Sequence, residues 1–307
     1  MHSEFLLLNS DYIDVNNYKN NIPSDYIQIE FFTEGFFLCL NFLCLRMNAF
    51  TLKNLFATYS GNNYSLKNIS LEIHANSFTS VIGQNGSGKT TLLKILAGIQ
   101  KYSGSAQFQN YEINSISRKN FSRSVSFMLS AKNFNPAYPF TVQEIISMGR
   151  LPYRNLFSGL NSQDKKIIFD SAEITHVTHL LNRNITSLSD GEKQLVLFAC
   201  ILAQNTDIIL LDEPTASLDP DKSAKIFHIL RKLKNNGKTI IAAIHDINSS
   251  FAYSDFYVAL KNGMLISHGQ IHNINSEVLR DIYDSNFIPY VNYFNQERDD
   301  LMWCAVP

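Results

Sequence analysis

The sequence predicts an α/β protein with a parallel central sheet, and three observations carry this prediction. Residues Ile208–Leu211 and Thr239–Ile244 are continuous apolar runs, which are typical of strands buried on both faces of a sheet. The segment Asp221–Asn235 between them has a helical pattern, and Gly237 follows it as a stop signal. A strand, a helix and a second strand at this spacing indicate parallel strands joined by a helical crossover.

Residues N-terminal to this unit predict a second group of strands. Phe50–Tyr59 and Tyr64–Ile73 alternate apolar and polar side chains, as half-buried antiparallel strands do. Phe78–Ile82 is short and largely apolar, so we expect one further strand there. A helix is predicted over Thr90–Ala97, with Gly98 as its C-cap.

The region 115–200 has a different character. Helix-like periods occur around Val142–Met148 and over Gln163–Leu181, and prolines interrupt the chain between them. We therefore predict a mostly helical insertion in the α/β protein, with a helical subdomain at about residues 130–200.

Composition limits the class of protein. The chain has 307 residues, of which 45% are hydrophobic and 17% charged, as in a globular protein with a substantial core. A formal net charge of −1 gives no overall electrostatic case for binding nucleic acid. The cysteines are scattered and indicate neither a disulfide framework nor a metal site, which fits a reducing compartment. They are Cys39, Cys44, Cys200 and Cys304.

The two ends of the chain differ from its centre. Residues 1–46 are rich in Asn, Tyr and Phe and lack a clean period, whereas the pattern becomes regular after Met47. We interpret 1–46 as a disordered extension or a mis-annotated start, and a genuine N-terminal arm is the alternative. The apolar block Phe36–Leu45 is too short for a membrane-spanning helix, which needs about 20 residues. Residues 47–280 are then the main domain, and 281–307 a short C-terminal accessory segment.

A glycine-rich loop lies between the strand Phe78–Ile82 and the predicted helix. It satisfies the pattern G-x-x-x-x-G-K-S/T with Gly83, Gln84, Asn85, Gly86, Ser87, Gly88, Lys89 and Thr90. Glycines allow backbone N–H groups to wrap a β-phosphate, and the helix N-terminus adds positive potential. Lys89 would place its charge on the β- and γ-phosphate oxygens, Thr90 would bind Mg²⁺, and Thr91 would reach the α-phosphate. This arrangement predicts a nucleoside triphosphate site.

Two acidic residues follow the apolar run Ile208–Leu211. We expect Asp212 to hold Mg²⁺ through water, and Glu213 to orient or deprotonate the water that attacks the γ-phosphate. Without the glycine loop upstream, a solvated acidic turn would be the favoured interpretation. His245 follows the run Thr239–Ile244 and would by itself be read as structural or solvated. At the end of the neighbouring parallel strand, however, it is placed to sense the γ-phosphate.

The pentapeptide Leu188–Glu192 (LSDGE) precedes an apolar helical stretch. Ser189 and Gly191 would present a hydroxyl and free N–H groups at a helix N-terminus, which suits an anion. By local chemistry alone, a capping box of Ser189 with Glu192 is favoured over an anion site. Asp219 is, by the same local chemistry, the N-cap of the helix that follows it.

The segments GQNGSGKTT, LSDGEKQ, IILLDEPTASLD and AAIHD, in this order, closely resemble those of a bacterial ABC transporter ATPase, over about residues 47–270. The resemblance implies a P-loop NTPase cassette with a RecA-like core of mixed sheet, an antiparallel β subdomain and a helical subdomain. It also implies ATP hydrolysis by a homodimer in which Ser189 and Gly191 cover the ATP of the partner subunit and Asp219 touches that subunit. Tyr59 lies where this family places an aromatic ring that stacks on adenine.

A finer resemblance concerns the transported substrate. Gly149–Tyr153 (GRLPY) and Leu202–Thr206 look like the subfamily that imports iron–siderophore complexes, haem or vitamin B12. That resemblance implies two integral-membrane permease subunits, an indirect substrate-binding protein, no nucleic acid, and a place at the cytoplasmic face of the bacterial inner membrane. The alternatives are a soluble ABC ATPase acting on nucleic acid or ribosomes, and a weakly hydrolysing cassette. The sequence shows no second cassette, long coiled coil or basic stripe typical of the former.

Two positions depart from the family pattern. Ser130 stands where the family has the glutamine of its Q-loop, which contacts Mg²⁺ and water and relays the nucleotide state to the permease. Serine is shorter and would act only through a bridging water, so we predict weaker coupling or slower hydrolysis. Asp190 replaces a common glycine, and we expect its carboxylate to point away from a γ-phosphate.

Overall fold

The computed structural model describes residues 5–8, 11–14, 48–58, 64–131, 134, 138–154, 159–291 and 301–306. The contacts of the chain divide it into two units, Met1–Leu45 and Arg46–Pro307. In the first unit, strand β1 (Phe5–Leu8) pairs antiparallel with strand β2 (Asp11–Asp14). The rest of the predicted extension 1–46 lies outside the described residues, and its interpretation stays a prediction.

The second unit contains both strands and helices. Its described strands are β3 (Asn48–Thr58), β4 (Tyr64–His74), β5 (Phe78–Ile82), β6 (Ser103–Phe108), β7 (Tyr111–Glu112), β8 (Val125–Met128), β9 (Ile208–Asp212), β10 (Thr239–Ala243), β11 (Phe256–Lys261), β12 (Met264–Gln270), β13 (Asn286–Val291) and β14 (Leu301–Val306). Its described α-helices are α1 (Lys89–Leu96), α2 (Arg118–Ser124), α3 (Val142–Met148), α4 (Ser162–Ile174), α5 (Asp190–Gln204), α6 (Pro220–Asn235), α7 (Ile247–Tyr253) and α8 (Ser276–Tyr283).

Among the described strands, six form a mixed central sheet in the order β12-β11-β5-β10-β9-β8. Neighbouring strands from β11 to β8 are parallel, and β12 pairs antiparallel with β11. Every residue of β5, β9 and β10 is buried, which explains why β9 and β10 read as apolar runs and why β5 is largely apolar. The predicted α/β class, with β9 and β10 joined through α6, is confirmed.

An antiparallel sheet packs against the helix that follows the glycine loop. Its described strands have the order β4-β3-β6-β7. Leu52 and Leu66 of this sheet share one buried apolar cluster with Leu93 of α1 and Leu210 of β9. The helix α1 is thus held between the antiparallel sheet and the central sheet, and the predicted antiparallel subdomain is confirmed.

The helical subdomain consists of α3, α4 and α5, which pack around a buried apolar cluster of their own. The predicted helical period Gln163–Leu181 is divided, because α4 ends at Ile174 and His176 has a φ of 58°, through which an α-helix cannot continue. Strand β8 also lies within the region 115–200, for which the sequence predicts mostly helix. Its four residues are too few to show a period, and the strand extends the central sheet beside β9.

The C-terminal strands are attached to the core. Trp303 of β14 packs with Ile247 and Leu279 in a buried cluster, and its backbone N–H donates to the Oδ1 atom of Asn248 at 2.7 Å. These contacts place the accessory segment beside α7, the helix that follows His245. In the part of the chain that the structure describes, no helix has the length and apolar character needed to cross a membrane.

Candidate active site

The glycine loop joins β5 to α1 at the carboxyl edge of the central sheet. Gly88 has a φ of 107°, and a Cβ atom there would lie 2.6 Å from the Cδ2 atom of Leu66 and 2.9 Å from the carbonyl oxygen of Ser65. Glycine is required at this position because a side chain would be strained and would collide with β4. Helix α1 begins without a side-chain cap, so its first N–H groups are available to an anion.

The side chain of Lys89 folds back into the glycine loop. Its Nζ atom donates to the carbonyl oxygens of Gly83 at 2.8 Å and Gln84 at 2.9 Å, and the residue is buried. Burial lowers the pKa of the Lys89 ammonium, and the nearby charges of Glu213 and Asp212 oppose that shift. The loop therefore holds a poorly solvated cation, and such a cation gains most from a phosphate anion.

Thr90 and Asp212 meet where α1 begins and β9 ends. The Thr90 hydroxyl donates to both carboxylate oxygens of Asp212, at distances of 3.0 and 2.9 Å. Asp212 is buried, and this burial is the largest cause that raises the pKa of its carboxyl, whereas the Thr90 hydrogen bond lowers it. A hydroxyl and a carboxylate at one point are ligands that suit a hard divalent cation.

Glu213 and His245 follow two neighbouring strands and contact each other. The Nε2 atom of His245 lies 2.6 Å from the Oε1 atom of Glu213. Glu213 has a φ of 52°, in the left-handed region that residues with side chains seldom adopt, and its N–H donates to the carbonyl oxygen of Ala243 at 3.2 Å. This backbone conformation turns the carboxylate out of the line of β9 towards the end of β10.

Other predicted nucleotide-binding residues lie in or beside the loop. Asn85 is exposed, and Thr91 is buried on α1. The Ser87 hydroxyl is buried and has no hydrogen-bond partner among the described residues. Gly86 has a φ of 78°, as a turn of backbone N–H groups towards a phosphate needs. Tyr59, the predicted adenine-stacking residue, lies outside the described residues.

The pentapeptide residues form the local structure that their chemistry favours. Ser189 is the N-cap of α5 and makes a capping box with Glu192, whose carboxylate accepts from the Ser189 N–H and hydroxyl at 2.8 Å each. The Asp190 carboxylate is exposed and pairs with a lysine of its own helix at 3.3 Å. Asp219 is the N-cap of α6. Between described residues, no hydrogen bond joins Ser189, Gly191 or Asp219 to the glycine loop.

The segment that contains Ser130 is joined to the backbone of Glu213 through Gln194. Ser130 is buried, and its hydroxyl has no hydrogen-bond partner among the described residues. The next N–H, of Ala131, donates to the Oε1 atom of Gln194 at 2.9 Å, and the Nε2 atom of Gln194 donates to the carbonyl oxygen of Glu213 at 2.9 Å. The sequence analysis gave Gln194 no role, although this residue ends the segment LSDGEKQ that carries the family resemblance.

The prediction also missed a contact from the C-terminal segment. The Nε2 atom of Gln84 donates to the Oδ2 atom of Asp284 at 3.1 Å, and Lys261 donates to the Oδ1 atom of Asp284 at 2.6 Å. Asp284 is 200 residues from Gln84 in sequence, and no local pattern marks it. The accessory segment thus touches the glycine loop directly.

Fold and site together define an α/β enzyme that hydrolyses a nucleoside triphosphate, because a buried loop lysine, the hydrogen-bonded pair of Thr90 and Asp212, and the pair of Glu213 and His245 meet at one sheet edge. The family model for the ABC transporter matches residues 66–216. The petrobactin import ATP-binding protein of Bacillus subtilis is 35% identical over 248 residues, which cover 80% of this chain and 96% of that relative. The chain therefore belongs to the ABC transporter family, as an ATP-binding subunit that hydrolyses ATP.

Solved structures agree with this family. An ABC transporter described as metal-chelate type, in an inward-facing conformation, is 25% identical, with a TM-score of 0.69 over 85% of this chain and 97% of the other. A dimeric ATP-binding cassette bound to ADP and Pi in a post-hydrolysis state is 28% identical, with a TM-score of 0.65 over 73% of this chain and 100% of the other. Further relatives are named for iron(3+)-hydroxamate import in Bacillus subtilis, ferric enterobactin transport in Escherichia coli and manganese transport in Listeria monocytogenes. The predicted cassette fold and ATPase class are confirmed.

Proposed function

We propose that this chain energises an importer of an iron–siderophore, haem or cobalamin-type substrate at the cytoplasmic face of a bacterial cell membrane. The relatives named for petrobactin, iron(3+)-hydroxamate and ferric enterobactin support an iron–siderophore complex as the substrate. A relative of similar identity is named for manganese transport, so identity alone does not determine the imported substrate. The proposal of an iron–siderophore substrate is supported by the several siderophore relatives and by the GRLPY stretch.

The contact between Glu213 and His245 is the observation that carries the catalytic part of the proposal. His245 occupies the Oε1 atom of Glu213, so the Oε2 atom is left to accept a proton from the attacking water. The imidazole holds the carboxylate in one orientation and can reach the γ-phosphate from the same edge. Lys89 leaves its carbonyl partners for the phosphate oxygens and stabilises the charge that develops on them.

Thr90 and Asp212 are proposed to hold Mg²⁺. Their oxygen atoms are already 2.9 Å apart, and the buried carboxylate with a raised pKa would gain a compensating positive charge from the ion. When bound, Mg²⁺ supplies neutralisation of the β- and γ-phosphate charges. Ser130 is the weakest of the three candidate ligands, because its hydroxyl is buried and reaches none of the described polar groups.

We propose that two copies of the chain form the working ATPase. Ser189, Gly191 and Asp219 lie at the N-termini of α5 and α6 and make no hydrogen bond to the described residues of their own glycine loop. A carbon atom added at Gly191 would lie 3.2 Å from the carbonyl oxygen of Ser217, so this helix start is packed tightly against the segment before Asp219. The start of α5 and the segment before Asp219 therefore lie side by side, so that both can face a partner subunit, as a head-to-tail dimer requires. A cassette of similar fold has been solved as a dimer.

The surface proposed to receive the permease lies around the GRLPY stretch. Leu151 is 58% exposed and Tyr153 37% exposed. Arg150 stabilises this stretch through a cation–π contact, because its guanidinium carbon lies 4.1 Å from the centroid of the Tyr153 ring. The Arg123 Nε atom donates to the carbonyl oxygen of Pro152 at 3.0 Å, which ties the stretch to α2. Apolar side chains on a fixed support suit a permease helix.

The proposal is tested by reconstituting the full chain with the permease subunits encoded beside its gene in lipid vesicles. ATP-dependent uptake is measured for a ferric siderophore, haem, cobalamin and Mn²⁺ in parallel. We expect uptake of an iron complex or cobalamin, and loss of that uptake in Glu213→Gln. ATP hydrolysis without uptake of any of them, or stimulation by RNA instead, would contradict the importer proposal.

A docking variant separates the permease surface from the catalytic site. Leu151→Asp should abolish uptake and leave the basal ATPase rate of the purified chain within about twofold, because Leu151 is an exposed residue outside the glycine loop and the ends of β9 and β10. Met264→Asp is the matched control, since Met264 is also an exposed apolar residue, 46% exposed, but lies on β12. Equal uptake by Leu151→Asp and the control would exclude this surface.

A further inference from the structure

Gln194 carries an amide that is completely buried near the start of α5. Its exposure is 0%, and it stands where the polar start of the helix, which includes Glu192 and Lys193, gives way to the apolar residues Leu195–Leu197. Burying an amide is costly unless its donor and acceptor are both paired, and an apolar side chain of similar size would fill this space without that cost. Both ends of the amide are in fact paired, and each reaches the backbone of a different segment.

The donor end of Gln194 holds the strained backbone of Glu213. Glu213 has a φ of 52°, a conformation that persists only where its surroundings impose it. Its carbonyl oxygen accepts from the Nε2 atom of Gln194 at 2.9 Å and from the N–H of Ala216 at 3.1 Å. The bond from Gln194 fixes the peptide that follows Glu213, and this peptide determines where the carboxylate points towards His245.

The acceptor end of Gln194 holds the segment that carries Ser130. The N–H of Ala131 donates to the Oε1 atom of Gln194 at 2.9 Å, whereas the adjacent Ser130 hydroxyl has no partner among the described residues. In the described part of the chain, the polar path from this segment to Glu213 therefore runs through the Gln194 amide. A displacement of the segment after β8 would pull on the same side chain that orients the Glu213 peptide.

We propose that Gln194 is a positioning residue for ATP hydrolysis, which fixes the Glu213 carboxylate and couples its orientation to the segment at Ser130 and Ala131. Gln194 acts through Glu213 and takes no part in binding the nucleotide. This role depends on ATP hydrolysis alone and is independent of which substrate is imported, so failure of the uptake experiment would leave it standing.

The test compares two glutamines of the same helix. Gln194→Met keeps the length of the side chain and removes the amide, and kcat should fall about 100-fold, as displacement of a catalytic group by about 1 Å does. Lys89 and the glycine loop are untouched, so KM for ATP should stay within about threefold. The control is Gln204→Met, because the Nε2 atom of Gln204 also bridges two backbone carbonyls, Ser122 at 2.6 Å and Val125 at 3.3 Å, away from Glu213.

A second variant separates the two ends of the amide and guards against a folding defect. Gln194→Glu keeps an acceptor for Ala131 and removes the donor to Glu213, so it should reproduce most of the kcat loss. Melting temperatures of all variants are recorded, and kcat is compared between variants that remain folded. A kcat for both Gln194 variants within about threefold of the wild type, or an equal loss in Gln204→Met, would overturn the proposal. A loss confined to KM would do the same.

Discussion

The Nε2 atom of His245 lies 2.6 Å from the Oε1 atom of Glu213, so the residues after two neighbouring parallel strands form one hydrogen-bonded unit. The pair is open to solvent, because 26% of the Glu213 side chain and 45% of the His245 side chain are exposed, so a substrate can approach it. Because one carboxylate oxygen is occupied, the chemistry of Glu213 is confined to the other. The first two predictions follow from this relationship.

Glu213→Gln should retain ATP binding and lose hydrolysis. The amide keeps the size of the carboxylate and an oxygen for His245, but it cannot accept a proton, so kcat should fall by a factor of about 10² to 10⁴. Phosphate release measures kcat, and a non-hydrolysable ATP analogue measures binding to the same preparation. Hydrolysis by the variant at a rate near that of the wild type would remove Glu213 from the role of general base.

The effects of changing Glu213 and His245 should not add. If His245 acts by holding Glu213, its loss costs little once the carboxylate has gone, because residues of one hydrogen-bonded unit are strongly coupled. His245→Ala alone should lower kcat about 10-fold or more, and the double variant should lie within about threefold of Glu213→Gln. Phosphate release from all three variants checks this. Fully multiplicative losses would mean that His245 acts on the substrate independently.

Sequence patterns located the elements of this protein where the physics is local. The strands β9 and β10 are apolar runs and β5 is largely apolar because both of their faces are buried, and the glycine loop needs φ values that glycine allows. The capping box of Ser189 with Glu192 also follows from residues three apart. The order of these segments was then enough to place Lys89, Asp212, Glu213 and His245 at one edge of a parallel sheet.

Contacts between distant segments were beyond the reach of sequence patterns. The bond between Gln84 and Asp284 spans 200 residues, and neither residue stands out from its surroundings. Gln194 was visible as a polar residue, but its two partners are backbone groups, which carry no side-chain signal. Strand β8 was not predicted for a third reason, because four residues are too few to define a period in the sequence.

Ser130→Ala should leave the ATPase rate of the purified chain unchanged within about twofold. The Ser130 hydroxyl is buried without a partner among the described residues, so its removal breaks none of the described hydrogen bonds. If Ser130 instead acts through a bridging water, the alanine variant will be slower.

Ser130→Gln restores the family's residue and should raise transport-coupled activity in reconstituted vesicles. No change, or a loss, in that assay would contradict the prediction that serine weakens coupling.

Arg150 and Asp164 form a buried ion pair that should be costly to break. The Nε atom of Arg150 lies 2.9 Å from the Oδ1 atom of Asp164, with 9% and 7% of the side chains exposed, and Nη1 donates to the Ala203 carbonyl oxygen at 2.8 Å. Arg150→Met removes the cation that faces the buried Asp164 carboxylate, which keeps the hydrogen bond from the Asn161 N–H at 3.3 Å, and should lower the free energy of unfolding by about 3–5 kcal/mol. Adding Asp164→Leu should recover part of this loss. Urea denaturation measures both.

An exposed pair provides the control for that experiment. Lys222 and Asp219 lie 2.8 Å apart with about half of each side chain exposed, so Lys222→Ala should not measurably shift the urea midpoint. A loss in Arg150→Met no larger than that of the control would mean that the buried pair contributes nothing to stability. A double variant less stable than Arg150→Met would mean that the capping box of Asp164 with Asn161 contributes more to stability than the removal of the buried charge recovers.

Cys200 should make the stability of the protein fall at alkaline pH. Burial raises the pKa of the Cys200 thiol from 9.0 to about 11, so the unfolded chain loses this proton before the folded chain does. The stability that depends on the protonated thiol is complete below pH 9 and is lost as pH rises through 11, to a total of roughly 2–3 kcal/mol.

Urea denaturation at a series of pH values should therefore show a steeper alkaline decline for the wild type than for Cys200→Ala. Cys304 is exposed and supplies the matched control, since Cys304→Ala should decline in parallel with the wild type. Identical declines in the wild type and Cys200→Ala would mean that the thiol titrates alike in the folded and unfolded chains.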